Sequence, residues 1–308
     1  LPQGGPLVCR VTKSGSWGAE LRVKQGGLPD SQPYSSSSGT GDLEVAFVAP
    51  SAATYYLQLL STSDGGTASV LATDDLTSAR GTVVIDNDDI RAAVSIPRAC
   101  VTSLVFKRGS NAELVADDWG IYLMDLGSTS AGAALRTGWV ADTANAQANA
   151  VSFGFRHGSG FRNTLSLTWG TDGVHVTSDF ECPESRVLYQ VLAPGGGWEA
   201  DRDKWAYPTA DRVETGSYTY PGGGTPLYPP DGLCGSPSEG WIAFWDDSVD
   251  EAYGFTFTGG VKALIANAVG ADADLELPAG QSRAAFHVVK PKPPTPYEAV
   301  RPLVQGPY

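Results

Sequence analysis

The chain has 308 residues, 42% of them hydrophobic and 10% aromatic, which is room for one large β-domain or two domains with ample core and excludes a disordered chain. A net charge of −13, with no Lys/Arg-rich cluster to offset it, excludes nucleic acid and disfavours an anionic membrane surface. No apolar run approaches the roughly 18–20 residues that span a bilayer. Strong helix formers are scarce, whereas Thr, Val, Ser and aromatic residues are plentiful, so the chain is expected to be all-β.

Residues 1–80 read as a small β-domain. "GAELRVKQ" alternates through Leu21 and Val23, "DLEVAFVAP" puts Leu43, Val45 and Phe47 on one face, and "TYYLQLLST" groups Tyr55, Leu57 and Leu59. Period-two alternation bounded by Gly, Pro and Ser marks antiparallel strands. "SQPYSSSSGTGD" reads as a loop, too polar to pack. Residues 81–290 hold many more strands. "TVVIDNDDIRAAVSI" is two strands around an acidic turn, since Asp and Asn favour turns. "NTLSLTWGTDGVHVTSDFEC" reads as a hairpin, as does "GWIAFWDDSVDEAYGFTF". "ADLELPAGQSRAAFHVVK" gives a strand, a turn and a last strand. Residues 291–308 form a proline-rich tail expected to run as polyproline II.

The four cysteines, Cys9, Cys100, Cys182 and Cys234, lack Cys-x-x-Cys spacing, so a zinc site is not expected. An even count in an acidic, β-rich chain points to an oxidising, extracellular or cell-surface setting and two disulfides. Cys182 with Cys234 is the favoured pair, because both lie beside Pro/Gly-rich loops; four buried free thiols are the alternative.

The order of these pieces resembles a known family. "IDNDDIR" early, then "VTSLVFKRGSNAELVADDWGIYLMD", and late "EGWIAFWDD" and "LELPAGQSRAAFHVV" together look like the galactose-mutarotase-like super-β-sandwich of aldose epimerases, glycoside hydrolases and polysaccharide lyases. The resemblance covers roughly residues 80–290 and implies a large antiparallel sandwich with a carbohydrate-directed role. "VAPSAATYYLQL" resembles the strand–turn–strand of immunoglobulin-like sandwiches, over about a dozen residues. In the mutarotase-like family a histidine acid and a carboxylate base work on a sheet face. The histidine–aromatic motif of true mutarotases is absent here, so catalysis is left open.

The candidates for acid–base work are His175, Glu181, His157 and Asp246. His175, Thr177, Asp179 and Glu181 share one strand face; His157 follows Arg156 at a strand end in "GFRHGSG"; and Asp246 follows Trp245 in "FWDD". A solvated outer sheet face is the bland reading of the first group. Trp198, Trp205 and Tyr207 crowd the segment from Ala193 to Pro237 among acids, and Trp119 lies in "ADDWG". Aromatic rings stack on the C–H faces of sugars, so these residues with Arg156 and Trp245 are the candidate substrate-binding set. A loop that docks its own aromatics on the sandwich would look the same. No Walker, Rossmann, nucleophile-elbow or His-Glu-x-x-His motif is present, and no cofactor or metal is expected. The expected partner is a glycan. The rival reading is a structural surface protein that self-assembles with other copies of itself, its tail docking through Tyr297, Val300, Leu303 and Val304.

Overall fold

A computed structural model describes residues 1–33, 35–63, 65–109, 111, 113–115, 121–125, 135–171, 173–183, 186–192, 204–208, 213–217, 241–245, 252–258, 261–267, 270–277 and 280–289. The first strands are β1 (Pro6–Lys13), β2 (Ala19–Gln25), β3 (Ser35–Gly39), β4 (Leu43–Val48), β5 (Tyr55–Ser61) and β6 (Ala68–Thr73). A 3₁₀ turn, Leu76–Ser78, is the only helical element among the described residues. Then come β7 (Thr82–Asp86), β8 (Ile90–Ser95), β9 (Cys100–Phe106), β10 (Ile121–Asp125), β11 (Trp139–Gln147), β12 (Ala150–His157), β13 (Arg162–Gly170) and β14 (Gly173–Cys182). The last are β15 (Arg186–Leu192), β16 (Lys204–Pro208), β17 (Val213–Ser217), β18 (Trp241–Trp245), β19 (Ala252–Thr258), β20 (Val261–Asn267), β21 (Gly270–Leu277) and β22 (Gly280–Val289). The all-β class expected from composition is the class observed.

Three sheets stack around two cores. An outer sheet has the order β3-β2-β5, a middle sheet β6-β1-β4-β7-β8-β9, and a large sheet β11-β12-β13-β14-β22-β19-β18-β16-β17. A fourth sheet, β10-β15-β21-β20, lies apart from these orders. The residue pattern of β1 and β4 explains the layering. Leu7, Cys9, Val11, Leu43, Val45 and Phe47 pack against Leu21 and Val23 of the outer sheet. The alternate residues Val8, Ala46 and Val48 join the second core, with Phe153, Phe155, Leu165, Leu167, Val174 and Val176 of the large sheet. A strand buried on both faces loses its polar alternation, which is why "EVAFV" reads as nearly continuous apolar sequence.

The division expected near residue 80 falls inside the middle sheet. β4 pairs in parallel with β7, Ala46 opposite Val83 and Val48 opposite Ile85, and the second core draws on both sides of that point. The "DNDD" turn is the expected hairpin tip between β7 and β8. Asn87 accepts the amides of Asp89 at 2.9 Å and Ile90 at 3.0 Å through its side-chain oxygen.

One expectation is corrected. The serine run is not a loop: Ser35–Gly39 pairs with β2 as an edge strand, which short hydroxyl side chains allow because both of its faces stay open to water. The favoured disulfide, Cys182 with Cys234, lies partly outside the described residues. Cys9, Cys100 and Cys182 are buried, and no bridge joins them to one another. Cys234 lies outside the described residues, as do residues 290–308.

Candidate functional site

The large sheet has one buried and one open face, and alternation decides which side chain goes where. On β13, Asn163, Leu165, Leu167 and Trp169 are buried, while Arg162, Thr164, Ser166 and Thr168 are not. On β14, Val174, Val176, Ser178, Phe180 and Cys182 are buried, leaving His175, Thr177, Asp179 and Glu181 on the open side. On β12 the open side holds Ser152, Gly154 and Arg156.

Register turns these residues into rows running across the strands. The first is Arg156, Arg162, Glu181 and Gln281; the second Gly154, Thr164, Asp179 and Arg283. The third is Ser152, Ser166, Thr177 and Ala285; the fourth Ala150, Thr168, His175 and His287. Directly opposed residues share a face with Cβ atoms about 4.5–5.5 Å apart, so the rows make a continuous field of hydroxyl, carboxylate, imidazole and guanidinium groups. Arg162 also reaches Asp142 of β11 at 3.6 Å. Gly154 makes room for this corner: a Cβ there would sit 2.2 Å from Thr143 Oγ1 and 3.2 Å from Asp142 Oδ1.

Spacing along β14 limits the chemistry. At about 3.3 Å per residue, His175 stands roughly 13 Å from Asp179 and 20 Å from Glu181. Neither carboxylate can share one bond with this imidazole. Burial holds the His175 imidazole below its ordinary range, so it is neutral at pH 7. The face is suited to hydrogen-bonding an extended ligand along several rows.

His157 has the opposite parity to Arg156 and is held in place. Its Nε2 lies 3.2 Å from the Thr137 carbonyl oxygen, which can only accept, so Nε2 carries the proton. Its Nδ1 accepts from the Ser159 hydroxyl at 2.6 Å, and its ring lies 5.2 Å from that of Trp139. Both nitrogens serve the turn.

Of the aromatic candidates, Trp245 shares the register row of Gly173, Val289, Ala252 and Lys204, which has the parity of the His175 row. Trp205 pairs with Phe244 and through Tyr253 and Val288 belongs to the row of buried Val174, and Tyr207 has the same parity as Trp205. Trp119, Trp198 and Asp246 lie outside the described residues. Sequence reading misses Arg162, Thr164, Ser166 and Asp142. The signal is present in "RNTLSLT", whose polar residues alternate with Leu165 and Leu167 as those of β14 do.

Among the described residues no three His, Cys, Asp or Glu side chains gather as a metal site, and no helix is long and apolar enough to cross a membrane. No protein-family model and no curated protein matches the chain. Solved structures similar to it include a protein from Synechocystis sp. PCC 6803, with 11% identity, 70% of this chain and 98% of that one covered, and a TM-score of 0.48. A galactose mutarotase related enzyme from Lactobacillus acidophilus has 8% identity, 68% and 97% coverage and a TM-score of 0.41. A galactose mutarotase-like protein from Lactobacillus casei has 16% identity, 68% and 99% coverage and a TM-score of 0.37. Two of the three carry a mutarotase name.

Proposed function

We propose that this protein binds a polysaccharide along the open face of the large sheet. The observation that carries the reading is the set of four cross-strand rows, in which Ser152, Thr164, Ser166, Thr168 and Thr177 supply hydroxyls beside Asp179, Arg156 and Arg162. Hydroxyl and carboxylate groups at strand spacing match the donors and acceptors that a sugar chain repeats along its length. An extracellular setting belongs to this reading and is supported by the acidic, β-rich composition. The test is a glycan array followed by affinity measurement on a Thr164→Val, Ser166→Ala, Asp179→Ala variant. These open-face positions bear little packing, so the variant keeps its melting temperature while losing at least about tenfold in affinity, since each lost hydrogen bond is worth about 1 kcal/mol. Binding to no glycan, or binding that the triple variant leaves untouched, overturns the reading.

A second reading, self-assembly as a surface protein, is favoured by a different observation. β5 and β6 are edge strands without a charged residue, and β6 exposes Val70 at 56% and Leu71 at 43%. Charges and prolines normally blunt such edges. Light scattering and electron microscopy of the native protein decide it: filaments, dispersed by Leu71→Lys, support assembly, and a monomer removes it.

A further inference from the structure

The outer sheet has three strands and the middle sheet six, so the middle sheet extends beyond the free edge of β3. Val84 of β7, in register with Phe47 of β4, is left 39% exposed there. A cleft of about 690 Å³ opens at this step, lined by Pro33, Phe47, Pro50, Tyr55 and Val84, with Lys24 among its lining residues. The Phe47 and Tyr55 rings stand 5.2 Å apart. The Tyr55 hydroxyl is buried and has no hydrogen-bond partner among the described residues.

We propose that this cleft is the docking site of the chain's own proline-rich segment, residues 291–304, bound as a polyproline II helix. Grooves built from aromatic and proline side chains are what that conformation packs against. It makes no internal hydrogen bonds, so its carbonyl oxygens are free acceptors, and a buried tyrosine hydroxyl without a partner is a donor in need of one. The segment "PKPPTPYEAVRPLV" supplies four prolines in its first six residues, then Tyr297, Val300, Leu303 and Val304.

The reach is adequate. β22 ends at Val289, opposite Gly173 at the β13–β14 turn. That turn lies at the same end of the large sheet as the β11–β12 turn, to which it is tied by the Trp169 amide donating to the Asn149 carbonyl at 3.0 Å. The β11–β12 turn in turn abuts Gly4, whose amide donates to Ala49 at 2.9 Å, one residue before Pro50 of the cleft. From β22 to β11 is four strand spacings, about 19 Å. The six residues 291–296 alone span about 19 Å at polyproline II rise.

The test uses the full chain. Lys24 in the cleft, Lys290 just before the segment and Lys292 within it are amines, so a short amine-reactive cross-linker read by mass spectrometry should join Lys24 to one of the other two. A mixture of isotopically light and heavy chains should give links within one chain only. Val84→Asp, at an exposed position, should lower the yield at least fivefold and speed hydrogen exchange over residues 291–304. Tyr55→Phe, which keeps the ring, should do the same to a smaller degree and stands in if Val84→Asp fails to fold. Three outcomes overturn the proposal: no such link, links between light and heavy chains, or a yield and exchange rate that neither variant changes.

Discussion

Glu44 on β4 and Arg10 on β1 meet in an ion pair of 2.8 Å, with side chains only 15% and 11% exposed. The same carboxylate accepts the backbone amides of Arg80 at 3.0 Å and Gly81 at 2.9 Å, at the entry to β7. Arg10 also donates to the Ser78 carbonyl. One pair of side chains thus joins the first strands of the chain to those that follow residue 80. Removing one partner strands a half-buried charge, so Glu44→Ala should cost about 3 kcal/mol in urea unfolding. The double change Arg10→Met with Glu44→Leu should cost less than Glu44→Ala alone. A double variant weaker than the single one would show that the pair is not the joint.

Gly4 should tolerate no side chain. Its φ is +73°, where L-residues are strained, and an added Cβ would lie 2.4 Å from the backbone carbon of Gln147. Neither group can rotate away, because both are backbone. Gly4→Ala should therefore lose roughly 2–4 kcal/mol, combining left-handed strain with overpacking. Gly27→Ala, with open space around its Cβ position, is the control and should be near neutral. Equal thermal shifts for the two would refute the close approach.

The β13–β14 hairpin is legible in the sequence because Leu165, Leu167, Val174 and Val176 alternate strictly with polar residues. The same alternation is enough to put His175 and Asp179 on one face. It cannot give the cross-strand partner, since register depends on which strands meet, and β22 lies far along the chain from its neighbour β14. β4 is read from Leu43, Val45 and Phe47 as a half-buried strand, whereas Ala46 and Val48 between and after them make it nearly continuously apolar, the mark of a second layer over its other face. The serine edge strand β3 escapes sequence reading for a different reason. Its pairing is dictated by the free edge of β2 and not by any apolar pattern of its own.

Burial pushes the Cys9 and Cys100 thiols up to about 11. Both should resist alkylation at pH 8 in the folded protein and react at once in urea. The linkage has a definite sign. An unfolded thiol ionises near pH 9 while the folded one stays protonated, so stability is full below pH 9 and falls between pH 9 and 11. Each site contributes roughly 2–3 kcal/mol to that fall. Cys9→Ala and Cys100→Ala should each flatten the alkaline arm of a stability–pH curve. Rapid labelling of both thiols under native conditions would contradict their burial.

His175 is the titrating group of the open face whose shift has a definite direction. Burial disfavours its charged form, so its folded-state pKa lies below the ordinary 6.5. The group therefore contributes stability that is present above about pH 6.5 and is lost as pH falls through the folded value. A histidine titration followed by NMR should place its midpoint below 6.5, and His175→Gln should flatten the acid arm of the stability curve. The same neutrality bears on ligand binding. Thr168 stands opposite His175 and Thr177 two residues along, so a neutral ring here sits beside two hydroxyl side chains. Glycan affinity should therefore be level from about pH 7 to 8 and fall only as the imidazole takes up a proton. A midpoint at or above 6.5 would mean that the ring is fully solvated and that the fourth row is only the wet side of the sheet.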